Sequence, residues 1–213
     1  EVASFCWQIM GKADFHRNDA VIGLGGGATT DLAGFVGASW LRGVRTYLIP
    51  TTLLAMVDAA IGGKTGVNTA EGKNLVGSFY LPSKVFIDLD TLTTLPRNEL
   101  LAGMAEVAKY GFIQDPEMLE LLSDTEAATD TSSSVFEELI KRSVTIKEEI
   151  TADDFRESGN NKISSEVMRA SHTHQVPHIG LPQKPAGRTC QSRTVEVPPG
   201  RQKGGGELQR PAG

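Results

Sequence analysis

The chain holds 213 residues, 39% apolar and 22% charged, with a formal net charge of −5. That length accommodates one large domain, or one domain and an extension. The charge is divided: residues 160–213 carry eight Lys and Arg against three acids, +5, which leaves −10 for residues 1–159 and argues against a nucleic-acid surface there. Two cysteines, Cys6 and Cys190, make no disulfide framework and no CxxC motif, so a reducing, cytoplasmic setting is expected. No apolar stretch approaches a membrane span, and no membrane partner is expected. No signal peptide is visible, and the chain starts at Glu1 without Met.

Taken in order, residues 2–11 read as a helix whose Val2, Phe5, Cys6 and Ile9 share an apolar face. Ala20–Leu24 is a short apolar run ending in glycines, the mark of a buried parallel strand. A helix is expected from about Asp31 to Val36. Thr46–Pro50 reads as a second strand, and Thr51 and Thr52 as caps for a helix over Leu53–Ile61. Lys84–Asp88 reads as a third strand. Pro96 then suits the first turn of a helix running to about Gly111, and Asp115-Pro116 opens another. Ala127–Ser134 reads as a polar loop. Ser134 and Glu137 form a capping-box pattern before an amphipathic helix carrying Phe136, Leu139, Ile140, Val144 and Ile150. Strands alternate with helices to about residue 95, and helices alone follow. The expected fold class is therefore α/β, an open, mostly parallel sheet over 1–95 followed by the start of a helical domain over 96–159. Residues 160–213 hold six of the ten prolines and a GGG run, and are expected to be a mostly disordered tail.

Three glycine-studded clusters interrupt this pattern: GLGGGATTD (23–31), DAAIGGKTG (58–66) and EGKN (71–74). Glycine weakens regular structure, so repeated glycines imply that backbone must approach something closely. The lysines and the asparagine beside them point to an anion. The first cluster lies between a strand and a helix, where free N–H groups can cradle a pyrophosphate and Asp31 can hold a ribose hydroxyl. Its spacing is not GxGxxG, and a structural turn is the competing reading. Gly62-Gly63 can end the preceding helix and deliver Lys64, or leave that lysine as a solvated C-terminal charge. Lys73-Asn74 reads as a surface turn. Further on, Glu106 and Lys109 share one helical face among Ala102, Met104, Ala105, Val107 and Ala108. A carboxylate among apolar neighbours needs a cation, either lysine or metal, although one carboxylate is not a metal site. His172, His174 and His178 have a spacing that allows chelation, but their surroundings read as an adventitious cluster.

In this order the clusters resemble the 3-dehydroquinate synthase family. The matching text is GLGGGATTDLAGFVGASWLRGV, PTTLLAMVDAAIGGKTGVNT, EGKNLVGSF, LPRNELLAGMAEVAKYGF and KEEITADDFRESG, nearly continuous over residues 1–159. The nearer alternatives are other sugar-phosphate cyclases of the same superfamily. The resemblance implies an NAD-binding α/β domain, a helical domain, and a divalent metal, zinc or cobalt, in the cleft between them. It implies conversion of 3-deoxy-D-arabino-heptulosonate 7-phosphate to 3-dehydroquinate and phosphate, on the route to chorismate and the aromatic amino acids. The partners it implies are a small sugar phosphate and a second copy of the chain.

Carried over by position, the resemblance implies that Gly25, Gly26, Gly27, Ala28, Thr29, Thr30 and Asp31 line the NAD phosphates and ribose. Thr51, Thr52, Lys64 and Lys73 would also contact NAD, with Thr91, Leu92, Thr93 and Thr94 near the adenosine. Asp58, Lys64, Asn74, Lys109 and Lys147 match substrate-facing or catalytic positions. Arg42 matches an arginine that reaches the substrate phosphate, in some members from a neighbouring subunit. Glu106 matches the carboxylate ligand of the metal. The family's LNxGHxxGHA segment, which supplies a metal-binding histidine, does not follow Gly159. The expectation is a 3-dehydroquinate synthase by descent, truncated at both ends, that turns over little or no substrate; the alternative is a fragment that binds NAD without catalysis.

Overall fold

In the computed structural model, residues 1–153 and 194–197 are described. Helix α1 (Val2–Lys12) leads into strand β1 (Ala20–Gly25), helix α2 (Gly27–Ser39) and strand β2 (Arg45–Pro50). A hairpin of β3 (Lys64–Thr69) and β4 (Gly72–Phe79) precedes β5 (Lys84–Asp88). Helices α3 (Arg97–Ile113), α4 (Glu117–Ser123), α5 (Thr125–Thr129) and α6 (Ser134–Asp153) follow, with β6 at Thr194–Val197.

The main sheet has the order β1-β2-β5-β6. β1, β2 and β5 run parallel, and β6 joins β5 antiparallel. The parallel start, the helical remainder and the strand at Lys84–Asp88 agree with the sequence pattern. Within residues 160–213, Thr194–Val197 form β6, in register with Val85–Asp88. The tail histidines and Cys190 lie outside the described residues.

Two cores hold the fold. The larger joins Leu48, Val85 and Ile87 of the sheet to Leu53, Met56 and Val57, and to Val107, Tyr110, Phe136, Leu139, Ile140 and Ile150 of the helices. All five apolar positions expected on α6 are buried there, because i, i+3, i+4 spacing keeps them on one face. The smaller core packs α1 on α2. Here Ala3 and Met10 are buried with Cys6 and Trp7 half-buried beside them, while Val2, Phe5 and Ile9 are exposed. Both rows have helical spacing. The Trp7 row wins because its indole lies 6.1 Å from the Phe35 ring and donates to Ser39 Oγ at 3.1 Å.

Other boundaries move for local reasons. β1 is an edge strand with Ile22 and Leu24 exposed, and only its Val21–Gly23 face is covered. α2 starts at Gly27, so Asp31 sits in its second turn rather than at its start. Residues 125–129, largely placed in a loop, make a short helix capped by Asp124, whose carboxylate accepts from the Ala127 N–H at 3.1 Å. The cap of α6 is Ser133, one residue before the expected Ser134. Its Oγ accepts from the Phe136 N–H at 2.9 Å. Lys73 and Asn74 belong to β4, and the turn of the hairpin is Ala70-Glu71, enclosed by the Thr69–Gly72 pair.

Candidate active site

The parallel strands end on one side of the sheet, at Gly25, Pro50 and Asp88, where open α/β sheets bind ligands. From Gly25 the chain turns through Gly26 into α2. The Gly26 carbonyl takes the N–H groups of Thr29 and Thr30, at 2.9 and 3.1 Å. Those of Gly27 and Ala28 are left at a helix start that cannot satisfy them internally. The turn is pressed close: a Cβ on Gly26 would stand 3.1 Å from Thr52, and one on Gly27 3.2 Å from Ala59. Thr51 N donates to the Gly25 carbonyl at 2.9 Å and ties the two strand ends together. Thr52 caps the next helix as expected, accepting from the Ala55 N–H at 3.2 Å. Thr51 makes no such cap contact. Thr91, Leu92, Thr93 and Thr94 form a 3-10 turn after β5 at the same end of the sheet. The Thr91 and Thr93 hydroxyls donate to the carbonyls of Asp88 and Asp90.

The helix after Thr52 widens over Ala55–Ala59 into a π turn, in which Ala60 N reaches back to the Ala55 carbonyl at 3.0 Å. Such turns occur often at functional sites. This one carries Asp58, whose Oδ1 meets Lys147 Nζ at 3.0 Å. Lys147, from α6, is almost wholly buried. On α3 the Glu106 carboxylate holds the Lys109 ammonium, as the three-residue spacing predicts.

These groups feel one another. Burial pushes the Asp58 carboxyl up, but the charge and hydrogen bond of Lys147, helped by Lys109 and Lys64, outweigh it and hold the group below its ordinary value. Glu106 is pushed up by burial and by the Asp58 charge, against the pull of Lys109. Asp31 is raised to about 6, by burial first and the Asp58 charge second. Three carboxyls and three lysines from α2, the π turn, β3, α3 and α6 therefore share one field.

Beside them lies a cavity of about 230 Å³ lined by Asp31 of α2, by Lys64, Thr65 and Gly66 of β3, and by Asn74, Gly77, Ser78 and Phe79 of β4. The GGK glycines put Lys64 there: Gly62 and Gly63 have φ of 96° and 72°, which ends the helix and starts β3. Asn74 is itself left-handed at φ 54°, and its N–H donates to Asn68 Oδ1 at 3.0 Å. Arg42 stays apart. It follows the C-terminus of α2, roughly 20 Å of helix away from Gly27. Lys73 is exposed on β4 and does not line the cavity. The residue pattern gave no sign of the hairpin, of the Asp58–Lys147 pairing, or of the π turn. The glycines at 62, 63 and 66 were the available signal for a close backbone path.

The free helix start and the backbone pressed against Thr52 and Ala59 fit a pyrophosphate-bearing dinucleotide. The fit to a metal is partial. Glu106, still raised despite Lys109, favours further positive charge, but no group of three metal-directed donors occurs among the described residues. Among those residues no helix is long and apolar enough to cross a membrane.

Residues 1–102 match the family 3-dehydroquinate synthase N-terminal, and residues 103–164 match 3-dehydroquinate synthase C-terminal. The 3-dehydroquinate synthase of Leifsonia xyli subsp. xyli is 59% identical over 181 residues, 84% of this chain and 49% of that one. That of Rhodococcus opacus is 60% identical over 173 residues, 81% of this chain and 46% of its own. The chain thus spans about half the length of the curated relatives it matches. Among solved structures, the 2-epi-5-epi-valiolone synthase of Streptomyces hygroscopicus subsp. jinggangensis, with NAD+ and Zn2+ bound, superposes with a TM-score of 0.69 at 28% identity. It covers 79% of this chain and 50% of that one. A 2-deoxy-scyllo-inosose synthase gives a TM-score of 0.51 at 26% identity, covering 78% and 52%. A likeness to a probable glycerol dehydrogenase of Sinorhizobium meliloti, TM-score 0.51 at 17% identity over 77% of this chain and 58% of that one, bears on the fold alone. Two consecutive family matches and relatives more than half identical place this chain in the 3-dehydroquinate synthase family.

Proposed function

We propose that residues 1–153 carry the NAD-facing and lysine-bearing side of a 3-dehydroquinate synthase active site. The reaction would be the cyclising loss of phosphate from 3-deoxy-D-arabino-heptulosonate 7-phosphate, a lyase step. One observation carries this reading: Asp31, Asp58, Glu106, Lys64, Lys109 and Lys147 converge from five elements into one field beside the α2 start. The matches over 1–164 support it.

In this reading the chemistry NAD would supply when bound is reversible removal of hydride from the ring carbon that bears a hydroxyl, the hydroxyl proton leaving separately. The Gly27 and Ala28 N–H groups bind its pyrophosphate, Asp31 its ribose, and the Thr51-Thr52 and Thr91–Thr94 turns flank it at the strand ends. Lys64 and Asn74, which line the cavity together, hold anionic substrate groups. Asp58 holds Lys147 Nζ at 3.0 Å, so that the ammonium faces the developing negative charge. Lys109 and Glu106 form a second ion pair beside it. Glu106 would be one ligand of a divalent metal, zinc or cobalt. Arg42, which does not line the cavity, would reach the substrate phosphate in the site of a second copy.

Binding is the deciding measurement. A thermal-shift titration with NAD should raise the melting temperature progressively, by the equivalent of about 2.7 kcal/mol at a hundredfold excess over Kd. Melting curves that stay flat up to millimolar NAD would remove the reading.

A further inference from the structure

The π turn presents Asp58, yet a π turn is an unfavourable way to run a helix and needs support from outside. Its hydrogen bonds show where. In an α-turn the Ile61 N–H would go to the Val57 carbonyl. Here it goes to Asp58 O at 3.0 Å, while Ala60 N reaches Ala55 O. The Val57 carbonyl, deep in the core, accepts instead from the Tyr110 hydroxyl at 3.1 Å. Tyr110 is fully buried, and its ring lies 5.2 Å from Lys109 Nζ.

Helix α3 is held to this segment at a second point. A Cβ on Gly103 would stand 2.7 Å from Leu53 Cβ and 2.9 Å from Leu54 N, so the helices touch through backbone. Gly103 and Tyr110 are seven residues apart, about two turns along one face. Between and beside them stand Glu106 and Lys109. The helix that carries this pair therefore also clamps the turn that carries Asp58.

We propose that Tyr110 is a positioning residue: by donating to the Val57 carbonyl it fixes the π turn and sets Asp58 against Lys147 and beside the Glu106–Lys109 pair. Its relevance to catalysis rests on the function proposed above, but the clamp itself is a property of the fold. It acts through one hydrogen bond between a side chain on α3 and a carbonyl the π turn has freed.

The test compares Tyr110→Phe with Tyr80→Phe. Tyr80 also donates to a backbone carbonyl, that of Val44 at 2.9 Å, but at the start of β2, away from the strand ends that form the site. Native-state amide hydrogen exchange is read at Ala60 and Ile61 and at core amides of α6. In Tyr110→Phe, protection at Ala60 and Ile61 should fall about tenfold more than at the α6 amides. In Tyr80→Phe the π-turn amides should fall no more than the α6 amides. An equal fall everywhere in Tyr110→Phe would mean a merely structural hydroxyl and would overturn the proposal. So would unchanged protection at Ala60 and Ile61. NAD-dependent thermal shifts, recorded on the same three proteins, report separately on the function: a flat wild-type titration counts against NAD binding and leaves the exchange result to decide the clamp.

Discussion

Replacing Lys147 by Met tests the charge cluster most directly. Lys147 keeps 7% of its side chain exposed, and Asp58 35%. Removing one partner of a buried pair costs about 3–5 kcal/mol, because the other charge is left without compensation. Asp58 is about a third exposed, which screens it. Lys64 and Lys109 also remain to share its charge. The expected loss is therefore roughly 2 kcal/mol at pH 7.5, or about 4–8 °C in Tm for a chain of this size. The pH dependence supplies the signature. In the wild type Asp58 has a lowered folded pKa, so the stability from the pair is present above the unfolded value near 3.8 and lost as pH falls through the folded value. In Lys147→Met, burial acts with less opposition and pushes the carboxyl upward. Its ionisation then costs stability at neutral pH, and protonation relieves that cost. Urea melts at pH 7.5 and pH 4.5 should show a deficit that shrinks by about half or more at the lower pH. A deficit under about 0.5 kcal/mol at pH 7.5, or one equal at both pH values, would refute the argument that Lys147 compensates a buried Asp58.

Two further outcomes follow from named contacts. Asp31 is raised to about 6, so the folded state holds more protons than the unfolded chain between about pH 4 and 6, and stability falls as pH rises through that window. Asp31→Asn should flatten this slope by about 1 kcal/mol after discounting for partial exposure while weakening NAD binding; an unchanged slope in urea melts would locate the proton elsewhere. Ser133→Ala should cost about 1 kcal/mol and Ser134→Ala less than about 0.5, since the Ser133 hydroxyl caps the Phe136 N–H; chemical denaturation showing the reverse order would restore the capping box at Ser134.

Much of the site is legible because its residue types have local causes. Gly25–Gly27 can be read from the strand before them and the helix after. Glu106 and Lys109 can be paired by counting three residues along α3. The buried face of α6 follows from its period. The hairpin was harder to see. β4 is exposed along nearly its whole length, so it lacks the apolar alternation that marks a half-buried strand. The edge position of β1 was also hidden, because an apolar run reads the same whether one face or both are covered. On α1 two apolar rows competed, and only the position of Phe35 on α2 decided between them.

The sequence by itself determined the α/β beginning, the helical continuation and the family, through local patterns and a continuous resemblance. It could not determine that Asp58 meets Lys147, 89 positions later by number, or that Tyr110 closes the carbonyl of Val57. Those pairings depend on how α3 and α6 cross the π turn. Packing set that crossing, through Gly103 against Leu53 and Gly62 against Thr151. Helical spacing tells which residues share a face. It does not tell which face another helix will meet, because that depends on shape complementarity between segments far apart in the chain.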